Sequence, residues 1–200
     1  MLVREVMTSP VVTVRRTDPV RQAVRLLHHH DVTAAPVVDD TGRVIGIVSE
    51  LDLLRGEFEP DPRARLRPVN GLDEPPPPTV GEVMSGKVIT LTETTDVTTA
   101  IELMVGLRVK SLPVIRGDAL VGIVSRRDLT AMLARPDSSL RDDVLAALRE
   151  QYPGLEVTVH DGIAELTGPA DDVADVITRT VPGIVRVTAA SNGQPAKGDR

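Results

Sequence analysis

The sequence predicts a mixed α/β (α+β) fold: two β-α-β-β-α repeats packed as one pseudo-symmetric module, followed by a smaller α-β-β-α-β domain. Three observations carry this expectation. A phrase occurs twice, as Gly46-Ile47-Val48-Ser49-Glu50-Leu51-Asp52 and as Gly122-Ile123-Val124-Ser125-Arg126-Arg127-Asp128. Its surroundings repeat with it: Val6-Met7 returns as Val83-Met84, and Ala35-Pro36-Val37-Val38 as Leu112-Pro113-Val114-Ile115, each 77 residues further on. After Arg135-Pro136 a different pattern begins. Self-similarity at a fixed spacing marks an internal duplication, and that decides the architecture.

Within the first repeat, Val11 to Val14 is short and β-branched and reads as a strand. Asp18-Pro19 resembles an N-cap followed by proline at the first helical position, and Val20, Val24 and Leu27 give a helix an apolar face as far as His30. Two strands follow, Ala35 to Val38 and Val44 to Val48, joined by the Asp40-Thr41-Gly42 turn; a short helix begins after Ser49. The second repeat offers the same elements over Val88 to Leu91, Asp96 to Val105, Leu112 to Ile115 and Leu120 to Val124. The spacing drops from 77 to 76 inside the hairpin turn, where losing one residue does least harm.

The repeats are expected to span 1–56 and 80–135. The segment 57–79 holds Pro60, Pro62, Pro68 and the run Pro75-Pro76-Pro77-Pro78, and reads as an extended surface linker. In residues 138–190, Leu140, Val144, Leu145 and Leu148 form a helical stripe, Leu155 to Val159 alternates as a half-buried strand, and Asp161-Gly162 is a hairpin turn. Ile163 to Leu166 pairs back, Asp171 to Thr180 is a second helix, and Ile184 to Val187 a last strand. The polar tail 191–200 is expected to be disordered.

Composition excludes several classes. Without cysteine there is no disulfide, thiolate nucleophile or thiolate metal site. No apolar run approaches the ~20 residues of a membrane-spanning helix, and the first residues lack the apolar stretch of a secretory signal, so a cytoplasmic location is expected. The net charge of −6 sits mostly after residue 135, where 11 Asp/Glu face 6 Lys/Arg. That balance argues against duplex nucleic acid or anionic lipid as a partner. One Phe and one Tyr leave no platform for stacking unpaired bases. His28-His29-His30 does not suit a single metal ion, because adjacent helical residues diverge by about 100°. No Ser/His/Asp set, metal pair or Gly-rich phosphate loop with Lys appears, so no catalytic residues are expected.

The repeated phrase is where chemistry is expected. Each copy sets a hydroxyl and a carboxylate three residues apart where a strand gives way to a helix, a place suited to a ribose and a phosphate. The same spacing is a capping box, and the two roles are not exclusive. Asp, where Glu reaches back to the cap more comfortably, leaves the carboxylate freer to face outward.

The tandem units resemble a pair of cystathionine-beta-synthase (CBS) domains, a Bateman module, through the Val-Met start, the apolar-Pro-Val-Val strand and the Gly-x-x-Ser-x-x-Asp ending, over residues 1 to about 134. The resemblance implies an adenosine nucleotide (AMP, ADP or ATP) as regulatory ligand, with Ser49 and Asp52 in one cleft and Ser125 and Asp128 in the other. It also implies that Val32, Thr33, Val109 and Lys110 line these clefts, with Lys110 a phosphate partner that Thr33 cannot match. A homodimer through the CBS pair is implied as well. Residues about 138 to 190 resemble a BON domain, from Leu155 to Gly162, Glu165-Leu166-Thr167-Gly168 and Val181 to Val187. That resemblance implies attachment to a membrane or a protein partner, and the acidic balance favours the protein. The alternative is a structural interaction module with empty clefts.

Overall fold

The computed structural model describes residues 1–55, 57, 61, 63 and 78–189. Most of the expected linker 57–79 and the whole tail 191–200 lie outside these residues. The first repeat runs β1 (Val14–Arg15), α1 (Val20–His29), β2 (Ala34–Val38), β3 (Val44–Ser49) and α2 (Glu50–Leu54). Next come α3 (Val80–Val83), β4 (Leu91–Thr92), α4 (Val97–Gly106), β5 (Ser111–Arg116), β6 (Ala119–Ser125) and α5 (Arg126–Leu133). Each repeat makes one three-stranded sheet, β1-β2-β3 and β4-β5-β6, with the first pair parallel and the second antiparallel. Both sheets carry a register shift at the equivalent place, Val37/Val38 and Val114/Ile115.

Helix α1 forms because Val20, Ala23 and Leu27 recur on one face and are buried, while Arg21, Gln22 and Arg25 face out. It packs with Val37 and Val48 of the sheet and Leu53 of α2 into one core. It ends in a Schellman turn: the Asp31 N–H donates to the His28 carbonyl at 3.3 Å and the Val32 N–H to the Leu27 carbonyl at 3.0 Å. Asp31 takes the left-handed conformation this turn needs (φ 53°), and Arg108 takes it after α4 (φ 56°). These turns aim Val32-Thr33 and Val109-Lys110 into β2 and β5.

Two local expectations are corrected. Pro19, not Asp18, holds the N-cap position of α1, because its ψ of 139° is extended; the Asp18 carboxylate accepts from the Arg15 N–H at 2.7 Å instead. Asp96, the equivalent of Pro19, does cap α4, accepting from the Thr98 N–H. The first strands are also shorter than their β-branched runs, because only Val14 and Arg15, and only Leu91 and Thr92, meet a ladder partner.

The repeats exchange their entry segments. Val80 of α3 is fully buried in the first repeat's core. The Val80 N–H donates to the Asp18 carbonyl and the Gly81 N–H to the Arg16 carbonyl. Ser85 exchanges two backbone hydrogen bonds with Ile47 of β3 (2.9 and 3.0 Å), and Thr8 does the same with Ile123 of β6 (2.8 and 3.1 Å). The glycine of each phrase permits this crossing. A Cβ on Gly46 would lie 2.7 Å from Met84 Sδ, and one on Gly122 would overlap Met7 Sδ.

The described residues form two compact units, one within 7–125 and one from 1–6 with 126–189. The second unit thus takes in α5 as well as the residues after Pro136. There α6 (Asp137–Leu148), β7 (Glu156–His160), β8 (Ile163–Thr167), α7 (Asp172–Thr180) and β9 (Arg186–Ala189) follow the expected α-β-β-α-β order. The sheet order is β7-β8-β9, with β7/β8 antiparallel and β8/β9 parallel. Leu140, Val144 and Leu148 of α6 fill its core against Val157, Leu166 and Ala174.

Two carboxylates hold this unit's turns. Asp137 accepts from the N–H groups of Asp161 (2.9 Å) and Gly162 (3.0 Å), the two positive-φ residues of the β7–β8 hairpin. Asp171 caps α7 by accepting from the N–H groups of Val173 and Ala174 and also accepts from the Tyr152 hydroxyl at 2.5 Å. The Gly162 N–H, then that of Asp161, hold the Asp137 carboxyl below its ordinary range; the Tyr152 hydroxyl is the main cause of the same shift at Asp171. A carboxyl whose pKa falls on folding stabilises the native state above its unfolded value of about 3.9 and loses that contribution as the pH drops through the native value. The unit is thus expected to lose part of its stability as the pH falls below about 4. Tyr152 fluorescence reports it selectively, since the chain has no Trp and no other Tyr. Urea midpoints read this way should fall less steeply with acid in Asp137→Asn; an unchanged slope would refute the role given to Asp137.

Candidate functional site

At the first phrase, β3 delivers Ser49 in an extended conformation (φ −109°, ψ 165°) and α2 begins at the next residue. The Asp52 side chain folds back over this junction. Its Oδ2 accepts from the Ser49 N–H at 2.9 Å and from the Ser49 hydroxyl at 2.6 Å, and the Asp52 N–H reaches Ser49 Oγ at 3.4 Å. The capping box is closed, so Asp is long enough to reach the cap and the expected outward-facing carboxylate is corrected for this oxygen. Oδ1 accepts no hydrogen bond from a described residue.

Thr33 is brought beside this junction, because its carbonyl accepts the Glu50 N–H at 3.0 Å and Ala34 pairs with Ser49. Val32 is half-buried and Thr33 exposed. In the second repeat Ser111 pairs with Ser125, which sets Lys110 one residue from the end of β6. Lys110 is exposed and makes no ion pair among the described residues, whereas Val109 is half-buried. Ser125 closes the first compact unit, and Asp128 lies in the first turn of α5, which belongs to the second.

Residues outside the expected set border the site strands. Ser85 lies on Ile47, two residues before Ser49, and Thr8 on Ile123, two before Ser125. Each phrase's strand is therefore edged by the other repeat. The Val-Met repeat signalled these entry segments, but its spacing could not say which copy each would meet. A cavity of about 460 Å³ also draws on both repeats, through Ser9 to Val11, Val38 and Leu120-Val121. It sits toward the hairpin ends of the sheets, and none of the eight candidate residues lines it. Among the described residues His28, His29 and His30 form no metal-holding group; the one such group is Asp137, His160 and Asp161, already committed to the hairpin cap.

Residues 3–59 and 80–135 both match the CBS domain family. The chain belongs to the CBS domain family. This CBS pair is 30% identical over 132 residues to an uncharacterized 17.7 kDa protein of Acidianus ambivalens, with 66% of this chain and 72% of that one aligned. It is 30% identical over 127 residues to the CBS domain-containing protein YhcV of Bacillus subtilis, covering 64% and 81%. The match to the uncharacterized protein MJ1404 of Methanocaldococcus jannaschii, 28% identical over 136 residues, spans 66% of this chain and only 32% of that protein. Among solved structures, the CBS domain of a CBS domain-containing membrane protein from Sphaerobacter thermophilus is 29% identical, with a TM-score of 0.50 and coverage of 66% and 86%. The CBS domain pair of protein MJ0100, solved with 5-methylthioadenosine and S-adenosyl-L-methionine, shares the fold at 23% identity, a TM-score of 0.54 and coverage of 66% and 94%. No described helix is long and apolar enough to cross a membrane.

Proposed function

We propose that this chain is a non-catalytic regulatory protein whose CBS pair senses an adenosine nucleotide (AMP, ADP or ATP). The supporting observation is the Ser49–Asp52 junction: a carboxylate with one engaged and one open oxygen, at the end of a strand edged by the other repeat. The phrase repeats at Ser125 and Asp128, with Val32-Thr33 and Val109-Lys110 as the neighbouring segments. Lys110 suits a phosphate, so the second copy favours the more highly charged nucleotide. The C-terminal unit, read as a BON domain, is assigned to a protein partner rather than a membrane, and a cytoplasmic location goes with this reading. Calorimetry against AMP, ADP, ATP, NAD and S-adenosylmethionine tests it. Binding of at least one adenine nucleotide is expected; no binding across the panel sinks the proposal.

The closed capping box favours a second reading, in which the phrase only starts α2 and the module is structural. Calorimetry separates the two. Either reading includes a homodimer through the CBS pair, because Val24 of α1, Leu51 and Leu54 of α2, and Ile101 and Val105 of α4 are all exposed. Light scattering of the full chain at tens of micromolar is expected to give the dimer mass. Val24→Glu with Ile101→Glu should give the monomer; a monomeric parent would overturn this.

A further inference from the structure

Arg135 is the last residue before the proline that separates α5 from α6, and its side chain is held entirely by the C-terminal unit. Nη1 donates to the Pro182 carbonyl at 2.6 Å, and Nη2 to Ser139 Oγ at 3.0 Å and to the Asp143 carboxylate at 2.5 Å. The guanidinium thus joins two turns of α6 to the turn before β9 and is only 26% exposed. Gly183 makes the second contact. A Cβ there would lie 2.7 Å from Leu140 Cδ2, 3.3 Å from the Met132 carbonyl and 3.4 Å from Arg135 Cδ. The last turn of α5 is therefore seated on the Pro182-Gly183 turn. The connection from α5 to α6 is Ala134, Arg135 and Pro136, and the first two donate backward to Thr130 and Met132, which leaves no slack.

Helix α5 carries Asp128 in its first turn and this seat at its other end, at Met132, four residues and about 6 Å further along the helix. We infer that α5 is a rigid lever of the C-terminal unit, with Arg135 the positioning residue that fixes it, so that the Pro182-Gly183 turn reads the state of Asp128. The inference rests on the proposal that Asp128 helps to hold an adenosine nucleotide. A planar fork with several donors suits three acceptors on two elements, whereas lysine offers one compact charge.

Hydrogen exchange on the full chain, with and without saturating ATP or AMP, tests both halves. Without nucleotide, Arg135→Ala should speed exchange in residues 130–134 about tenfold or more, as expected for losing hydrogen bonds to a charged group, with Arg135→Lys between it and the parent. Exchange in β2 and β3 should stay as in the parent, which shows that the variants fold. With nucleotide, residues 181–187 should change protection in the parent and not in Arg135→Ala, while calorimetric affinity stays within about threefold. Unaltered exchange in residues 130–134, or a nucleotide-induced change at 181–187 that survives in Arg135→Ala, overturns the lever. A tie with no nucleotide effect at 181–187 in a parent that binds overturns the readout alone. A parent that binds neither nucleotide defeats the sensing proposal and the readout with it, and exchange in 130–134 still judges the tie separately.

Discussion

Gly122→Val is expected to lower the unfolding free energy of the CBS pair by about 1–3 kcal/mol, the range typical of forcing extra atoms into a packed site. The clash is with Met7: a Cβ at Gly122 overlaps Sδ and lies 3.0 Å from Cγ and 3.3 Å from Cβ. Turning the Met7 side chain away can move Sδ and Cγ but not the contact at 3.3 Å, because the Met7 Cβ is fixed by backbone that Thr8 pins to Ile123. Two effects act the other way. Valine favours a strand, and replacing glycine removes unfolded-state entropy, a gain of about 0.4–1 kcal/mol where the conformation is compatible. Neither matches the overlap. Gly46→Val should behave alike, since Met84 Sδ at 2.7 Å is backed by the Ser85 carbonyl at 3.1 Å. The cross-repeat origin makes a distinctive claim. Met7→Ala should rescue Gly122→Val and not Gly46→Val, and Met84→Ala the reverse, in denaturant titrations of the four double variants. A coupling below about 0.5 kcal/mol in the matched pairs, the level of independent sites, would sink it.

What could be read from the chain divides along local and non-local lines. The stripe Val20, Val24, Leu27 and the Asp161-Gly162 turn are short-range signals whose consequences are also short-range, and the elements appear where the pattern places them, although Ala23 and not Val24 completes the buried face of α1. The register of β2 on β3 follows from the turn that joins them. Met7 and Gly122, by contrast, are 115 residues apart in the chain, and the repeat makes Met84 an equally good partner for that glycine. Spacing carries no preference between a repeat closed on itself and one that trades its entry segment. Only the geometry of Thr8 on Ile123 decides it. The proline at 136 was legible as a break in the pattern, and it stands at the N-cap position of α6. The tie of Arg135 to acceptors in α6 and before β9 is non-local, and spacing carried no sign of it. At the phrase, a carboxylate three residues after a serine was legible as a pair, while the direction it faces was a matter of rotamer and not of spacing.

Asp52→Ala or Asp128→Ala is expected to weaken adenine-nucleotide binding about tenfold or more at the occupied copy, since a hydrogen bond to a charged group contributes roughly 1.5–3 kcal/mol. The closed box at Asp52 complicates this test, because alanine there also removes a helix cap, a loss of about 0.5–2 kcal/mol of stability that could masquerade as lost affinity. Ser49→Ala separates the two: it breaks the same box from the other side and leaves the carboxylate available to ribose hydroxyls. If Asp52 serves the ligand, Ser49→Ala should cost stability with a smaller loss of affinity, and Asp52→Asn should cost affinity with little loss of stability, since its amide oxygen still accepts at the cap. If the phrase is only a cap, both variants should follow stability alone. Lys110 adds an independent axis. Its ammonium has no ion-pair partner among the described residues, so Lys110→Ala should weaken ATP more than AMP, and the difference should shrink as salt screens the phosphate charge. Calorimetry at two ionic strengths decides it. Parent-like binding by both Asp→Ala variants means that the ribose assignment is wrong, and an equal effect of Lys110→Ala on AMP and ATP removes Lys110 from the phosphate site.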